Sequence, residues 1–350
     1  MKTYLDKNVY EAALERIAYC FQEFDNVLVA FSGGKDSGVL LNLCYNYADE
    51  HGLLDKLTMY HLDYEAQYQM TTEYVTRTFL EQFPGIRKMW YCVPIKAQSA
   101  CALGEPYWTP WDAAKKKLWV RAMPENPYVV HEGNLDVPFR HGMVDYEFQD
   151  KLSRHFAKKR GTTAVMVGLR ADESLNRYAA VARGKKRRSY EGRKWITQTS
   201  AVTANVYPLY DWRVSDIWTA TARFGFDYNR LYDLLYQAGL TAGQMRVASP
   251  FNDCAQESLK LYKVIDPSNW ARMIGRVNGV NFTGLYGGTT AMGWKTIKLP
   301  PGHTWKSYYE FLLSTMDART AAHYNNILEK SKRYWMQGGT VDPGLSLIHI

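Results

Sequence analysis

Residues 29–40, VAFSGGKDSGVL, are the stretch most informative about the fold, because they join an apolar run to a glycine-rich turn and a second apolar run. A Walker A phosphate loop has the pattern G-x-x-x-x-G-K-[ST]. In this chain Lys35 is followed by Asp36, and Val29 stands where the first glycine of that pattern would be. The stretch therefore predicts a phosphate loop of a different kind from the loop that cleaves ATP at its γ-phosphate.

The residues on either side predict a strand before this loop and a helix after it. The apolar run Asn26–Phe31 is typical of a strand that is buried on both faces of a parallel sheet. After the loop, apolar residues recur at helical spacing up to Gly52. Backbone N–H groups at such a helix start bind phosphate readily. A turn without a ligand is the alternative, and the buried strand and amphipathic helix disfavour it.

Six residues form the predicted binding loop: Ser32, Gly33, Gly34, Lys35, Asp36 and Ser37. The glycines allow the backbone to approach an oxygen closely, the lysine adds a point charge, and the hydroxyls can donate hydrogen bonds. A carboxylate is unusual in an anion site, so Asp36 is predicted to hold Mg²⁺ beside a triphosphate. Lys35 and Asp36 are therefore predicted as catalytic residues as well as binding residues.

Alternating strands and helices predict an α/β fold with a doubly wound, mostly parallel sheet. The predicted strands are Asn26–Phe31, Leu57–Leu62, Lys88–Ile95, Thr162–Val167 and Asn205–Leu209. Strand signals fade from about Phe226 onward, where helical and irregular patterns remain. The sequence therefore predicts a smaller, mainly helical C-terminal region beside the sheet domain.

The predicted domain organisation follows from these patterns. Residues 1–225 are expected to form the nucleotide-binding domain, with an insertion at about 104–134 that is rich in Trp, Pro and Lys. Residues 226–340 are expected to form the helical region. Residues 341–350 end on Gly344–Ile350, which continues no earlier pattern. We expect a truncation or an assembly artefact there and leave this tail out of the fold prediction.

Composition limits the class of protein. With 46% hydrophobic and 14% aromatic residues, the chain is typical of packed globular proteins. A net charge of +8 permits binding to nucleotides or nucleic acid without proving it. Five cysteines without a C-x-x-C pair argue against a disulfide framework, a zinc site and an iron–sulfur site. No signal peptide and no transmembrane run is recognisable, so the cytoplasm is the expected location.

A second motif, Gly168–Arg177 (GLRADESLNR), follows the predicted strand Thr162–Val167. Doubly wound sheets place their ligands just beyond strand ends, and arginines there can bind phosphate or sulfate oxygens in a fork. Arg170 and Arg177 are predicted catalytic residues. The predicted binding residues of this motif are Gly168, Arg170, Glu173 and Ser174. The alternative is a surface helix start with an i,i+4 ion pair between Glu173 and Arg177.

Three ordered motifs resemble the N-type ATP pyrophosphatases, a PP-loop superfamily with an adenine nucleotide alpha hydrolase-like fold. The first is Ser32–Ser37 and the second is Gly168–Arg177; the third, Tyr207–Trp218 (YPLYDWRVSDIW), completes the set. They most resemble the phosphoadenosine phosphosulfate (PAPS) reductase branch, which includes sulfate adenylyltransferase small subunits. Together the motifs cover roughly Asn26–Phe224.

The resemblance implies that ATP is cleaved between its α- and β-phosphates. A substrate oxygen attacks the α-phosphorus, pyrophosphate leaves and an adenylate forms, in sulfur-related or nucleic-acid-directed chemistry. The implied ligands are ATP, or a nucleotide like PAPS or adenylylsulfate, and Mg²⁺. In the family, the segment at Asp63 meets the adenosine moiety; a turn or cap carboxylate is the alternative for Asp63. Asp211 and Trp212 are weaker ligand candidates, since they can equally be a cap and a core aromatic.

The resemblance to the reductases fails at their cysteine. PAPS reductases carry E-C-G-[IL]-H near the C-terminus, and this chain has only Cys254 there, beside an acidic residue and without an adjacent Gly or His. A reactive thiolate needs an electropositive setting. Thiol-dependent PAPS reduction is therefore the least favoured activity. The insertion and downstream region resemble IbrA/YbdN-type proteins, which are named as transcriptional co-regulators and are often paired with a ParB-like partner.

A basic run, Arg183–Trp195, lies between the second motif and the last predicted strand. Its candidate nucleic-acid-binding residues are Lys185, Lys186, Arg187, Arg188, Arg193 and Lys194. Interleaved aromatic residues can stack on bases, so DNA or RNA is a possible partner. A lid over the triphosphate and a solvated loop are the alternatives. An ATP-dependent regulatory protein is accordingly the second functional hypothesis, beside the adenylating enzyme.

Overall fold

The computed structural model describes residues 6–102, 104–182, 189–292 and 298–336. The strands are β1 (Asn26–Ala30), β2 (Leu57–Leu62), β3 (Arg87–Cys92), β4 (Ala97–Gln98), β5 (Tyr107–Trp108), β6 (Val129–His131), β7 (Thr163–Val167), β8 (Ser189–Tyr190), β9 (Arg193–Gln198) and β10 (Thr203–Val206). The helices are α1 (Val9–Glu23), α2 (Lys35–Glu50), α3 (Gln69–Glu81), α4 (Asp145–Arg160), α5 (Leu175–Ala182), α6 (Val214–Phe224), α7 (Leu231–Gln237), α8 (Tyr262–Ile265), α9 (Pro267–Arg276), α10 (Val280–Tyr286), α11 (Trp305–Ser314) and α12 (Ala318–Met336).

In this described part of the chain, eight strands form one sheet in the order β6-β3-β2-β1-β7-β10-β9-β8. The pairs from β6 to β10 are parallel, and β9 and β8 add an antiparallel edge. The sheet is covered on both faces, so β1 is buried throughout its centre: Val27 and Val29 pack with α1, α2, α3 and α6, and Leu28 packs with α4. The predicted doubly wound, mostly parallel sheet is confirmed.

Two edges of the sheet were not predicted. The strand β6 lies inside residues 104–134, where the sequence indicated only an insertion, and it pairs in parallel with β3. The hairpin of β8 and β9 lies where a basic loop was expected. The last parallel strand, β10, begins two residues earlier and ends three residues earlier than predicted. It ends before Tyr207 because Pro208 has no N–H to donate to a ladder.

The C-terminal region is mainly helical, as predicted. Its helices do not form a separate core, since apolar residues from both parts of the chain share one buried cluster. That cluster includes Leu231, Leu235, Phe251, Trp270 and Met273 from the C-terminal region and Tyr68, Ala97, Trp108 and Val120 from the sheet domain. None of the helices in the described residues combines the length and the apolar run that a membrane crossing requires. The tail 341–350 lies outside the described residues.

Candidate functional site

The glycine loop connects β1 to α2 and is held by its own serines. Ser32 N–H donates to Ser37 Oγ over 3.1 Å, and Gly34 N–H donates to Ser32 Oγ over 3.3 Å. The hydroxyl of Ser37 donates to the carbonyl of Gly34 over 3.0 Å. Gly33 has a φ of +77°, and a Cβ there would lie 2.9 Å from Val75 Cγ2. The turn therefore requires glycine at this position.

Lys35 and Arg170 enclose the carboxylate of Asp36. Lys35 Nζ lies 3.0 Å from Asp36 Oδ2, and Arg170 Nε lies 2.5 Å from Asp36 Oδ1. The side chains of Lys35 and Arg170 are only 2% and 3% exposed. Burial by itself lowers the pKa of Arg170, but the carboxylates of Asp36, Asp172 and Glu173 together outweigh burial and leave this pKa above its ordinary value. The two motifs therefore meet as one charged group.

Gly168 is the residue that lets the motifs meet. A Cβ on Gly168 would lie 2.9 Å from Asp36 C and 2.9 Å from Ser37 N. Both neighbours are backbone atoms, which cannot rotate away as a side chain would. The end of β7 therefore approaches the first turn of α2 more closely than any other residue would permit.

Glu173 is the second carboxylate of the site. Its Oε2 lies 2.8 Å from Arg177 Nη1, which is the i,i+4 ion pair that the sequence offered as an alternative. Its Oε1 lies 3.6 Å from Arg170 Nη2 and 3.5 Å from Arg246 Nη1. Ser174 Oγ accepts a hydrogen bond from Arg177 N–H over 3.2 Å, so it caps α5.

Asp63 is fully buried at the end of β2, and its polar atoms have protein partners. Arg121 Nη2 lies 2.6 Å from each carboxylate oxygen, Trp90 Nε1–H donates over 2.7 Å and Glu65 N–H donates over 2.8 Å. Its carbonyl accepts from Trp111 Nε1–H. Burial raises the pKa of Asp63, but Arg121 and these hydrogen bonds outweigh burial and leave it below its ordinary value. Contact with adenosine stays a prediction.

A neighbouring ion pair was not predicted at all. Glu65 is fully buried, and its oxygens lie 2.8 and 3.0 Å from Arg276 Nε and Nη2. Its carboxylate also accepts N–H groups of Trp111 and Val120 over 2.6 and 3.0 Å. In the sequence, Glu65 and Arg276 look like ordinary surface charges 211 residues apart, so no local signal could have joined them.

Tyr232 is a further residue that sequence reasoning missed. Its hydroxyl oxygen accepts the N–H of Lys35 over 3.1 Å, and Lys35 Nζ lies 5.4 Å from the centre of its ring. This contact brings the start of the C-terminal region against the phosphate loop. An aromatic residue within an apolar helical pattern is usually a core residue, and nothing in the sequence distinguishes Tyr232 from one.

Two residues of the third motif, Asp211 and Trp212, bind residues of α1. Both carboxylate oxygens of Asp211 are bound by the guanidinium of Arg16, over 2.8 and 2.7 Å. Trp212 is buried and donates its Nε1–H to the carbonyl of Val9 over 2.9 Å. These contacts join α1 to the loop before α6, in keeping with the prediction that Asp211 and Trp212 are weaker ligand candidates.

Only part of the basic run can be described. Lys185, Lys186, Arg187 and Arg188 lie outside the described residues. The guanidinium of Arg193 stacks 4.0 Å from the ring centre of Tyr19 and lies 2.6 Å from Glu191 Oε2. Lys194 is exposed. Arg193 therefore has protein partners, and the predicted contact of this run with nucleic acid stays a prediction.

The residues of the site do not by themselves fit a magnesium ion. Each oxygen of Asp36 already faces a cation, and among the described residues no three His, Cys, Asp or Glu side chains form a metal-binding group. Mg²⁺ is commonly held by one or two carboxylates together with nucleotide phosphates. Asp36 as its ligand stays a prediction, which requires Lys35 and Arg170 to turn toward the phosphates.

The cysteines divide into two classes. Cys20, Cys44, Cys92 and Cys101 are buried, and burial raises the pKa of each thiol, which disfavours the reactive thiolate. Cys254 is exposed. The four buried cysteines therefore act as small apolar residues.

Comparison with known proteins assigns both halves of the chain. Residues 26–238 match the phosphoadenosine phosphosulfate reductase domain, and residues 239–346 match a domain of unknown function, DUF3440. A relative from Escherichia coli (strain K12), the uncharacterized protein YbdN, is 34% identical over 344 residues, which are 97% of this chain and 83% of that protein.

Solved structures with detectable similarity are more distant. PAPS reductase from Candida auris, in a phosphate complex, is 13% identical with a TM-score of 0.35 and covers 67% of this chain and 93% of its own. FMN adenylyltransferase from Candida glabrata, in complex with ATP, is 14% identical with a TM-score of 0.36 and covers 66% of this chain and 62% of its own. On the domain match and the near full-length relative, this chain belongs to the phosphoadenosine phosphosulfate reductase domain family of PP-loop proteins, together with YbdN.

Proposed function

We propose that this protein binds ATP, or a related adenine nucleotide, at Ser32–Ser37 and cleaves the α–β bond of ATP. One observation carries the proposal: the glycine loop after β1 and the arginine motif after β7 meet at adjacent parallel strands, with Arg170 paired to Asp36 over 2.5 Å. The domain family supports a function related to adenine nucleotides. The cytoplasm remains the expected location.

The described residues suggest a division of labour. N–H groups of the loop and the start of α2 would bind the departing pyrophosphate, and Lys35 would supply its point charge. Arg170 and Arg177 would stabilise the negative charge that develops as the α–β bond breaks. An acceptor oxygen would attack the α-phosphorus, so the products would be pyrophosphate and an adenylate. Positioning and electrostatics, more than covalent chemistry by the protein, would then give the rate.

The test is release of pyrophosphate from ATP labelled at its α-phosphate, with Mg²⁺ and then with the metal removed by a chelator. Sulfate, tRNA and DNA would be added in turn as acceptors. We expect Lys35→Ala and Arg170→Ala each to reduce ATP affinity by about 30-fold or more, because each removes a charge-assisted contact of roughly 2–3 kcal/mol. The exposed Lys260→Ala serves as control.

The outcomes separate the possibilities. Labelled AMP on an acceptor, with pyrophosphate released only when the loop is intact, would establish adenylation and identify the substrate class. Tight ATP binding without turnover would indicate a nucleotide sensor. ATP affinity unchanged in both Lys35→Ala and Arg170→Ala would contradict the assignment of the site.

A second candidate is an ATP-dependent regulatory protein that binds DNA or RNA, or a ParB-like partner, and acts as a co-regulator. The net charge of +8 and the basic run favour this candidate. Binding to DNA or RNA should then weaken steeply with salt and be lost when the run is neutralised. Thiol-dependent PAPS reduction is third; it would rest on Cys254, the one exposed cysteine of the five, and activity that persists in Cys254→Ser would exclude it.

A further inference from the structure

The segment after α7 lies against the phosphate loop. Met245 and Val247 are buried in the shared core, so they fix the backbone on either side of Arg246. Val247 Cγ2 lies 3.6 Å from the position that a Cβ on Gly34 would occupy. The backbone of Arg246 is thereby held beside the loop by packing on both sides, while its guanidinium reaches Glu173.

Arg246 is incompletely paired there. Its side chain is 27% exposed, and the ion pair described for it is the 3.5 Å contact from Nη1 to Glu173 Oε1. That carboxylate is already bound more closely by Arg177, over 2.8 Å. Arg170 also faces Asp36 and Asp172, so Glu173 is the carboxylate that Arg177 and Arg246 share. One carboxylate balances only one of these two guanidinium groups, which leaves one positive charge for another anion.

The ion pairs that link Lys35, Arg170 and Arg246 form one connected group, and its charge count also leaves one positive charge unbalanced. The cations are Lys35, Arg170, Arg177 and Arg246, and the carboxylates are Asp36, Asp172 and Glu173. Within the described residues, four cations of this group face three carboxylates, so one positive charge is in excess. Without Arg246 the group would be neutral. The C-terminal region therefore supplies the charge that makes this site attractive to an anion.

We propose that Arg246 binds the pyrophosphate portion of the nucleotide, as a third arginine beside Arg170 and Arg177 that comes from the C-terminal region. This inference rests on the proposed function. Arg246 moves from its long contact with Glu173 to a phosphate group, where a guanidinium donates two parallel hydrogen bonds to two oxygens. Residues 239–346 then complete the nucleotide site of residues 26–238.

The experiment uses calorimetric titration of the full chain with three probes: inorganic pyrophosphate, ATP and AMP. The variants are Arg246→Ala and Arg246→Lys, with Lys35→Ala as the loop reference. The matched control is Arg230→Ala, an arginine of the same region that is 60% exposed and lies 3.9 Å from Asp233. Thermal unfolding of each variant establishes that it is folded, and Arg246→Lys keeps the charge if the alanine variant does not fold.

We expect Arg246→Ala to weaken pyrophosphate and ATP binding about tenfold or more, since a hydrogen bond between charged groups is lost. AMP affinity should stay within about twofold of wild type. Arg246→Lys should retain part of the affinity, and Arg230→Ala all of it. An equal loss for AMP would overturn the inference, because it would indicate a general effect on the site.

Two further outcomes separate this inference from the proposed function. If Lys35→Ala abolishes pyrophosphate binding and Arg246→Ala leaves it unchanged, the inference fails and the proposed function stands. If the wild-type chain binds neither ATP nor pyrophosphate, both fail. The alternative, in which Arg246 acts only through its contact with Glu173, is tested by adding Arg246→Ala to a Glu173→Gln variant. The loss of pyrophosphate affinity caused by Arg246→Ala should persist in that variant. If the loss disappears, direct contact between Arg246 and phosphate is refuted.

Discussion

Two charged clusters of similar residue types lie at neighbouring strand ends, and they differ in whether their charges balance. The closed cluster comprises Asp63, Glu65, Arg121 and Arg276. The open cluster comprises Lys35, Asp36, Arg170, Asp172, Glu173, Arg177 and Arg246. The closed cluster is buried, with one arginine for each carboxylate. The open cluster has an excess cation and reaches solvent through Arg177, which is 44% exposed.

Charge balance distinguishes a structural ion pair from a candidate binding site. A buried carboxylate and arginine that satisfy each other leave nothing for a ligand, and removing one partner leaves a buried charge unpaired. A cluster with unequal charges and partial exposure can exchange a protein carboxylate for a ligand anion. The number of arginines matters less than whether their charges are already balanced.

The largest effect should come from Glu65→Gln in the closed cluster. The substitution keeps the volume but leaves Arg276 buried without its counter-charge, so the free energy of unfolding should fall by about 3–5 kcal/mol. Chemical denaturation measures this. The control is Glu15→Gln, whose exposed pair with Lys7 should contribute at most about 1 kcal/mol. Equal losses of stability in the two variants would show that the closed cluster is no more important to folding than a surface ion pair.

Gly168→Ala tests the backbone on which the open cluster depends. The new Cβ would press on the backbone of Asp36 and Ser37 and displace the start of α2, so we expect a loss of about 1–3 kcal/mol in stability together with weaker pyrophosphate binding. Gly243→Ala is the matched control, because a Cβ there meets no atom within 4 Å. Full pyrophosphate affinity in Gly168→Ala would show that the close approach is dispensable.

His61 offers a pH test beside the closed cluster. It is fully buried, and burial outweighs the attraction of Asp63 and lowers the pKa of its imidazole. The unfolded chain therefore gains a proton below about pH 6.5 while the native protein does not, so stability is complete above that pH. It should fall by up to about 1.4 kcal/mol per pH unit as pH drops toward the native pKa. Denaturation curves of His61→Gln should lack this component, and identical pH profiles would refute it.

The smallest change in stability is expected for Arg193→Ala, because Arg193 belongs to a surface ion pair and not to either cluster. Its pair with Glu191 and its stacking on Tyr19 are partly exposed, so the stability change should stay below about 1 kcal/mol and shrink in high salt. Denaturation at two salt concentrations measures this. A loss above about 2 kcal/mol would place Arg193 with the closed cluster instead.

Most of the fold could be predicted from local sequence patterns. The bounds predicted for the second strand, Leu57–Leu62, are those observed, because a parallel strand buried on both faces is a continuous apolar run. The edges β6 and β8–β9 were missed for the opposite reason: all three strands are largely half-exposed, and β6 and β8 have only 3 and 2 residues, so no continuous apolar run marks them. Sequence reasoning therefore described the centre of the sheet better than its borders.

The site was predictable only where its residues are close in sequence. The motifs Ser32–Ser37 and Gly168–Arg177 are continuous, so they could be found and placed at strand ends. Tyr232 contacts Lys35 across 197 residues, and Arg121 reaches Asp63 across 58. Each of these looks unremarkable in its own segment. The contact of Tyr232 arises where the C-terminal region packs on the sheet domain, and that of Arg121 where the insertion 104–134 lies over the end of β2. No local pattern encodes either contact.

The pair of Glu65 and Arg276 also sets an order of events during synthesis. Glu65 leaves the ribosome 211 residues before its partner exists, and the carboxylate of an unfinished chain therefore has no counter-charge. Burying it at that stage would be unfavourable, so the cap over the end of β2 should close only after α9 has been made. The central sheet can form early. The buried ion pair at the end of β2, close to the glycine loop, can form only after Arg276, within residues 239–346, has been synthesised.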